Sequence, residues 1–374
     1  MKEFNRVYAT VDLGAVRHNM EQIRESLDEG TGICAVVKAD AYGHGAVEVT
    51  KELESMDCVT FYATANIEEA DRLYEAGRRK PILIMGVTFP DQYDRAVERG
   101  YRINVYRFDM AKGLSEEAVK QQKTAYVHIG LDTGMNRLGF QITDDVIDEI
   151  EAITKLPNVV VEGIFTNFTK AGEQDKSFTY EQISRYNNVV EGLEYRGIHI
   201  PIKHFANSAA TLDIKEAQLN MVRVGILMYG IYPPGEVSRD LNLIPVMELK
   251  SCVSYLRKVK ANDKISYGGT YKLPSEEKIA TIPVGYADGY PRSLSNKGYV
   301  LINGKKAPIR GMICMDLMMV DVTQVPDAKE FTTVTLVGKD QEEELSVEYL
   351  GELSGRFSYE LLCDLISKIP RVYR

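Results

Sequence analysis

Short apolar runs alternate with amphipathic stretches along most of the chain. An opening strand over residues 7–11 precedes a helix that Asp12 can cap, because apolar residues recur at helical spacing from Leu13 to Leu27. The apolar runs predict strands at 32–38, 58–63, 82–86, 102–106, 124–130, 159–165, 199–204 and 219–224. The amphipathic stretches predict helices at 46–55, 67–77, 89–99, 108–121, 142–155, 177–196 and 207–217.

Eight strands that alternate with helices predict an α/β fold, a (β/α)₈ TIM barrel, with functional residues at the C-terminal ends of its strands. A doubly wound open sheet is the competing architecture. No GxGxxG follows the first strand, which counts against a dinucleotide-binding fold. We therefore expect a barrel domain over residues 11–235.

Short β-rich segments separated by turn signals such as Asn303-Gly304 replace the alternating pattern after Pro233-Pro234-Gly235. We expect residues 236–374 to form a second, mainly β domain, to which residues 1–10 contribute a strand. The β-rich segments of this domain lie at 247–259, 278–283, 298–302, 307–312, 317–322 and 332–337.

Composition narrows the functional classes. The net charge is −9, and no basic block appears, so a nucleic-acid partner is not expected. The five cysteines form no CxxC pair and are typical of free thiols in a reducing compartment. No apolar run is long enough for a signal sequence or a membrane span. We expect a cytoplasmic protein without a membrane or metal partner.

Residues 32–45, GICAVVKADAYGHG, place one lysine where a buried strand becomes a glycine-rich loop. Burial of a lysine lowers the pKa of its ammonium group, which makes the amine available as a nucleophile or base. Lys38 is therefore a candidate catalytic group. The alternative is that Lys38 is only the first solvated residue after the strand.

The loops after the seventh and eighth predicted strands commonly bind phosphate in a barrel. Ser208 stands at a helix start, where free backbone N–H groups favour an anion. Arg223 ends the eighth strand, and Gly225 permits close backbone contact. An ordinary helix cap and a salt-bridged arginine are the alternative interpretation.

VVKADAYGHG, FANSAAT and NMVRVGILMYG resemble the cofactor-binding motifs of the alanine racemases. The resemblance implies that Lys38 forms a Schiff base with pyridoxal 5′-phosphate. It also implies that Arg223 faces the pyridine nitrogen, where a fold-related decarboxylase typically has a glutamate. The implied phosphate contacts are Tyr42, Ser208, Gly225 and Ile226.

The remaining motifs resemble the same family in order and spacing. In ISYGGTY, the resemblance implies that Tyr267 is the second base and acts on the partner subunit's cofactor site. Arg137 of DTGMNRLGF is implied to bind the substrate carboxylate and the cofactor's phenolic oxygen. Tyr286 of GYADGYPR would lie at the entrance, the Met315 backbone of CMD would meet substrate across the dimer interface, and Tyr359 of SYELLC would contact the phosphate and narrow the pocket.

Four positions depart from the family pattern. Gly130 replaces a lysine that is often carbamylated, so a chloride or a neighbouring carboxylate is expected to orient Arg137. Asn167 replaces a histidine that stacks on the cofactor ring; it can hydrogen-bond towards Arg223 but offers no aromatic face. Gly172 stands where an acid is common, and Met312 where an arginine is common.

The resemblance implies a homodimeric enzyme that interconverts L-alanine and D-alanine through an external aldimine and supplies D-alanine for peptidoglycan. Lys38 would serve one face of the substrate and Tyr267 the other. A serine or broad-specificity amino-acid racemase is one alternative, because an apolar pocket rejects an added hydroxyl only weakly. A non-catalytic pyridoxal-phosphate-binding protein is the other; such proteins usually lack the second domain.

Overall fold

The computed structural model describes residues 6–366 and 369–374. Of these, residues 16–41 and 46–244 form one compact unit, the barrel unit. Residues 6–15, 42–45 and the described part of 245–374 form a second compact unit, the β unit. Residues 1–10 were expected to contribute a strand to the second domain. The first five of them lie outside the described part of the chain.

Within residues 32–224, eight parallel strands form a nearly closed barrel, which confirms the predicted fold class. Each strand overlaps one of the eight predicted runs. Around the sheet their order is Met221–Val224, Gly32–Val36, Val59–Thr64, Ile82–Ile84, Arg102–Val105, Ala125–Asp132, Val159–Phe165 and Ile202–His204. The short strand Phe140–Gln141 pairs in parallel with Ala125–Asp132.

The last two strands approach each other through backbone hydrogen bonds. Asn220 N donates to Lys203 O at 3.2 Å, and Arg223 N donates to Ala206 O at 3.0 Å. The first and last barrel strands, Gly32–Val36 and Met221–Val224, form because every residue in them is buried and all but Arg223 are nonpolar. Because the eight strands are parallel, their last residues all lie at the same end of the barrel.

The described helices of the first 244 residues lie where the amphipathic pattern predicts them. Asp12 Oδ1 accepts a hydrogen bond from Ala15 N at 2.9 Å, which confirms the predicted cap. The α-helices are Leu13–Glu25, Ala46–Leu53, Ile67–Glu75, Tyr93–Glu98, Phe108–Gln121, Val146–Thr154, Ser177–Tyr195 and Ser208–Asp213; 3₁₀ turns cover Pro90–Gln92, Lys215–Ala217 and Ile226–Tyr229.

The β unit contains, over its described residues, one large sheet that joins both chain ends. Val7–Val11 pairs antiparallel with Met247–Cys252 and parallel with Arg371–Tyr373. From one edge to the other the order is Lys305–Pro308, Tyr299–Ile302, Thr333–Asp340, Met247–Cys252, Val7–Val11 and Arg371–Tyr373, with Glu343–Leu345 paired to Thr333–Asp340. The N-terminal strand thus belongs to the same sheet as the C-terminal residues.

Smaller elements complete the β unit. A second sheet contains Tyr255–Val259, Glu277–Ile282 and Met318–Asp321, and a two-stranded ribbon contains Lys264–Ile265 and Tyr271–Lys272. Its 3₁₀ turns are Tyr267–Gly269, Tyr286–Asp288 and Arg292–Leu294, and its α-helices are Val347–Ser354 and Ser358–Ile366. None of the helices in the described part of the chain combines the length and apolarity needed to cross a bilayer.

Two details of the second half were not predicted from the sequence. The β-rich segment 247–259 divides into two strands of separate sheets, and Val253 N and Ser254 N, between these strands, bond to Thr332 O and Thr281 O. The two α-helices near the C-terminus were not predicted. The first of them is capped by Ser346, whose side chain accepts a hydrogen bond from Tyr349 N.

Candidate active site

Lys38 lies two residues after the first barrel strand, Gly32–Val36, and is half-buried. The chain then turns in the left-handed sense: Ala39, Asp40, Ala41 and Tyr42 have φ values of 51°, 53°, 57° and 52°. L-residues in this conformation cost about 1–2 kcal/mol each. A run of strained residues directly after the lysine indicates that the surrounding structure fixes this loop for a functional reason.

Two carboxylates hold the left-handed turn. Glu69 accepts hydrogen bonds from Ala39 N at 2.8 Å and from Ala65 N at 2.9 Å, so it joins the loops after the first two barrel strands. Asp40 Oδ1 accepts one from Ala46 N at 2.8 Å, which starts the next helix. These bonds offset part of the backbone strain and fix the direction in which the chain leaves Lys38.

Arg223 is 4% exposed and lies on the strand next to the one that leads to Lys38, with Cys34 as its register partner. Its Nη1 donates to His204 Nδ1 at 3.1 Å and to His204 O at 3.2 Å. Its Nη2 donates to Thr166 O at 2.8 Å, Asn167 Oδ1 at 3.1 Å and Phe205 O at 3.3 Å. Among the hydrogen bonds of the described residues, none uses the Arg223 Nε–H, which therefore remains as a donor.

Burial lowers the pKa of Arg223 to about 10, so the guanidinium stays protonated at neutral pH. The charge of Arg137 also lowers this pKa, which places the two arginines within electrostatic reach of each other. A protonated guanidinium can only donate hydrogen bonds. Its target must therefore be an acceptor, such as an unprotonated ring nitrogen.

Asn167 contacts Arg223, as its sequence position predicts. Its Oδ1 accepts from Arg223 Nη2, and its Nδ2 donates to Phe168 O at 3.2 Å. Gln182 Nε2 donates to the backbone oxygen of Asn167 at 3.1 Å. The asparagine therefore orients the arginine and is itself held by its neighbour Phe168 and by Gln182 of helix Ser177–Tyr195.

Two short helical turns supply candidate phosphate donors. Helix Ser208–Asp213 begins after Asn207, whose side chain accepts from Ala210 N at 3.1 Å. Ser208 Oγ accepts a hydrogen bond from Gly225 N at 3.1 Å, so the two predicted phosphate loops touch. The backbone N–H groups of Ser208 and Ile226 have no hydrogen-bond acceptor among the described residues. Such groups favour an anion.

Arg137 lies in a loop that one carboxylate organises. Asp132 accepts from Gly134 N at 3.0 Å, Asn136 N at 2.9 Å and Arg137 N at 3.1 Å. The carboxylate therefore holds the loop backbone. Across the described residues no carboxylate forms an ion pair with the exposed guanidinium of Arg137, which leaves it available for a substrate carboxylate.

Asn104 fills the space beside Gly130. A Cβ at residue 130 would overlap Asn104 Oδ1, and Asn104 Nδ2 donates to Met85 O at 2.9 Å. Asn104 Oδ1 is buried and has no hydrogen-bond partner among the described residues. Residue 130 is therefore a glycine because Asn104 occupies the space that a side chain there would need. The sequence did not indicate this relationship.

Three predicted residues of the β unit, Tyr267, Tyr286 and Met315, lie on three loops that are bonded together. Ser266, beside Tyr267, donates from Oγ to Met312 O at 2.6 Å. Tyr286 N donates to Cys314 O at 3.1 Å. A Cβ at Gly285 would overlap the carbonyl oxygens of this same loop, so only glycine allows the approach.

The side chains of these three loops are exposed. Tyr267 is 75% exposed, Met315 54% and Tyr286 42%. Ser266 and two glycines of the Tyr267 turn have positive φ, so the turn presents its tyrosine from a strained backbone. Exposed aromatic and methionine side chains on one set of loops are typical of a protein interface.

Tyr42 and Tyr359 lie together in the β unit, with ring centroids 6.0 Å apart in an edge-to-face arrangement. Burial raises the pKa of both phenols. Both therefore keep their hydroxyl protons and can donate hydrogen bonds at neutral pH. Phe357 packs on Tyr359 with centroids 4.5 Å apart.

Four polar residues near Arg223 were missed as site residues: Arg102, His128, Glu162 and His204. His204 Nε2 lies 2.9 Å from His128 Nδ1, and both imidazoles are fully buried. His128 Nε2 lies 3.3 Å from a carboxylate oxygen of Glu162, to which Arg102 donates twice. Ionisable residues inside otherwise apolar strands were the signal that could have identified them.

The barrel unit fits a phosphorylated pyridine cofactor. The Arg223 Nε–H is a donor for the ring nitrogen, backbone N–H groups at Ser208 and Ile226 suit a phosphate, and Lys38 supplies an amine. By contrast, no group of His, Cys, Asp or Glu side chains in the described part of the chain could hold a metal ion. None of the five cysteines forms a disulfide with another described residue.

Comparisons with known proteins point to one family over nearly the whole chain. Residues 11–233 match the model for the alanine racemase N-terminal domain, and residues 246–373 match that for the C-terminal domain. An alanine racemase of Desulforamulus reducens is 43% identical over 369 residues, 98% of each chain. One of Methanococcus maripaludis is 41% identical over 368 residues, again 98% of each.

Solved structures are also similar over the whole length of this chain. An alanine racemase of Clostridium difficile superposes with a TM-score of 0.96 at 38% identity, covering 100% of this chain and 97% of that one. An alanine racemase of Bacillus anthracis with bound L-Ala-P has a TM-score of 0.91 at 32% identity and covers 100% and 96%.

Proposed function

Because the chain belongs to the alanine racemase family, we propose that Lys38 and Tyr267 are its two catalytic bases. The enzyme is a pyridoxal 5′-phosphate-dependent isomerase that interconverts L-alanine and D-alanine. When bound, the cofactor makes the substrate Cα–H acidic by drawing electron density into its ring. Inversion then needs a proton removed on one face and a proton returned on the other.

The observation that carries this proposal is the pairing of Arg223 with the strand that leads to Lys38. Lys38 supplies the amine that holds the cofactor and, once released from it, moves a proton on one face. Arg223 stays protonated and offers Nε–H, so the ring nitrogen accepts and does not gain a proton. Limited electron withdrawal suits proton exchange at Cα and disfavours decarboxylation or transamination.

Other side chains bind and select the substrate. Arg137 would bind the substrate carboxylate and the cofactor's phenolic oxygen, because its guanidinium has no carboxylate partner among the described residues. Tyr42 and Tyr359 would donate hydroxyl hydrogen bonds to the phosphate. The bulk of Tyr359 would limit the substrate side chain to about the size of a methyl group.

We place Tyr267 opposite Lys38 through a homodimer in which each β unit completes the partner's site. The support is the exposure of Tyr267 and Met315 on bonded loops. The backbone of Met315 would meet substrate there, and Tyr286 would lie at the entrance. Cysteines without disulfides among the described residues agree with a reducing, cytoplasmic location. The gap between the two matched family models agrees with a domain boundary near residue 235.

Chiral analysis of the products tests the proposed activity. The purified, cofactor-loaded chain is incubated separately with L-alanine and L-serine, and D-product is measured. D-alanine formed well in excess of D-serine is the expected result. Equal rates with the two substrates would indicate a broad amino-acid specificity. A lack of D-product despite bound cofactor would indicate a protein that binds the cofactor without racemase activity.

A further inference from the structure

A row of buried polar side chains, which we term the polar chain, connects Arg223 to Arg102. It consists of Arg223, His204, His128, Glu162 and Arg102. The contacts are 3.1 Å from Arg223 Nη1 to His204 Nδ1, 2.9 Å between the two imidazoles and 3.3 Å from His128 Nε2 to Glu162. Arg102 closes the row with two hydrogen bonds to Glu162, at 2.8 and 2.9 Å.

The donors and acceptors along the polar chain allow only one arrangement of protons. Arg223 can only donate, so His204 Nδ1 must accept and His204 must carry its proton on Nε2. That Nε2–H donates to His128 Nδ1, which puts the His128 proton on Nε2. This second Nε2–H then donates to the Glu162 carboxylate. From Arg223 to Glu162 every donor points away from Arg223, and Arg102 donates to Glu162 from the other end.

The electrostatics favour these protonation states. Burial lowers the pKa of both His128 and His204, so both rings are neutral, as the arrangement requires. Burial alone would favour the acid form of Glu162, but the hydrogen bonds from His128 and Arg102 lower its pKa to about 2. Glu162 is therefore an anion wherever the two imidazoles are neutral.

Packing fixes the planes of the two rings. A Cβ at residue 163 would overlap His128 Nδ1, so Gly163 leaves the space that the imidazole occupies. Phe165 stacks on His204 with centroids 4.9 Å apart and planes 8° apart. A half-turn of either ring within its plane would put carbon atoms where nitrogens now form the contacts of the polar chain, so the hydrogen bonds fix the ring orientation and the choice of tautomer rests with the groups at the two ends.

We propose that Glu162, through His128 and His204, is a positioning residue that aims Arg223 at the cofactor's ring nitrogen. The carboxylate selects the His128 tautomer, and His128 selects that of His204. His204 Nδ1 then takes an Nη1 hydrogen of Arg223, which keeps Nε–H directed to the ring. This inference rests on the proposed cofactor chemistry. With the opposite tautomers, an imidazole N–H would face the Arg223 N–H and turn the guanidinium aside.

Glu162→Gln removes the charge and leaves one amide oxygen for two donors, His128 and Arg102. Glu162→Asp keeps the charge and should restore part of the effect. Glu52→Gln is the matched control, because Glu52 is a partly buried glutamate that pairs with Arg17 at 2.6 Å away from the polar chain.

Nitrogen-15 NMR of histidine side chains reads the tautomers directly in the full-length chain. The sequence has only five histidines, and His128→Gln and His204→Gln assign the two resonances of interest. We expect both rings to be neutral with the proton on Nε2 from about pH 6 to about pH 9. In Glu162→Gln their shifts should move towards a tautomer average, whereas in Glu52→Gln they should not.

Cofactor titration gives the second measurement. The dissociation constant of pyridoxal 5′-phosphate should rise about tenfold in Glu162→Gln, less in Glu162→Asp and not in Glu52→Gln. A proton on His204 Nδ1 in the unsubstituted protein would overturn the proposal, and this result requires no variant to fold. Unchanged tautomers and affinity in Glu162→Gln would also overturn it. Failure of the proposed racemase activity would appear separately, as a lack of D-alanine from the unsubstituted enzyme.

Discussion

His204 Nδ1 accepts a hydrogen bond from Arg223 Nη1 at 3.1 Å, so the imidazole must be uncharged in the folded protein. His128, which follows it in the polar chain, must be neutral for the same reason. Both groups have a pKa lowered by burial. The free energy of unfolding should therefore depend on pH in a direction that can be stated in advance.

Above about pH 6.5, these histidines are neutral in the folded and in the unfolded chain. As the pH falls below that value, the unfolded chain binds protons that the folded chain does not, and stability is lost by up to about 1.4 kcal/mol per pH unit for each histidine. Glu162, with its pKa lowered from 4.5 to about 2, should add a further loss as the pH falls through that window.

Urea unfolding followed by circular dichroism at pH 7.5 and pH 5.5 measures this dependence in a chain that has no tryptophan. His204→Gln should reduce the slope by about one proton, and His199→Gln, at an exposed histidine, should leave it unchanged. Equal stability at the two pH values would contradict the neutral pair.

A second prediction concerns the left-handed turn after Lys38. Glycine at residue 39 relieves about 1–2 kcal/mol of backbone strain and adds about 0.5–1 kcal/mol of unfolded-state entropy. Ala39→Gly should therefore match or exceed the stability of the unsubstituted protein. Ala152→Gly, within the right-handed helix Val146–Thr154, should destabilise by about 1 kcal/mol. Equal losses from both changes, measured by urea unfolding, would argue against the strained turn.

A third prediction concerns the close contact between Gly130 and Asn104. Gly130→Ala should destabilise by about 1–3 kcal/mol, because the new methyl group overlaps the Asn104 amide. Asn104→Ala in the same chain should recover part of that loss, so the two changes should not be additive. A double-mutant cycle in urea measures the coupling, and strict additivity would mean that something other than Asn104 requires the glycine.

The sequence predicts the eight barrel strands because each lies in a short run rich in apolar residues between amphipathic stretches, and it locates Lys38 and Arg223 at the ends of such runs and Ser208 at a helix start. The family resemblance added Tyr267 and Arg137, whose own surroundings carry no comparable signal. The division of the β-rich segment 247–259 into two strands was not predicted, because a change of sheet leaves the hydrophobicity unaltered.

Other features depend on relationships that no local pattern contains. The polar chain joins residues from five strand segments, and only their distances fix the tautomers. Residues 39–42 are four L-residues without a glycine, for which a left-handed turn is intrinsically unfavourable. The three-dimensional structure therefore supplies what periodicity could not, namely which buried polar groups face one another.

The two-base assignment is tested most directly by Tyr267→Phe with each alanine enantiomer in deuterated water. Deuterium entry at Cα is followed separately for L-alanine and D-alanine in the cofactor-loaded variant. We predict that exchange persists from one enantiomer, through Lys38, and falls by about 10²-fold or more from the other, together with racemisation. Equal loss from both enantiomers, or undiminished racemisation, would contradict Tyr267 as the base on the opposite face.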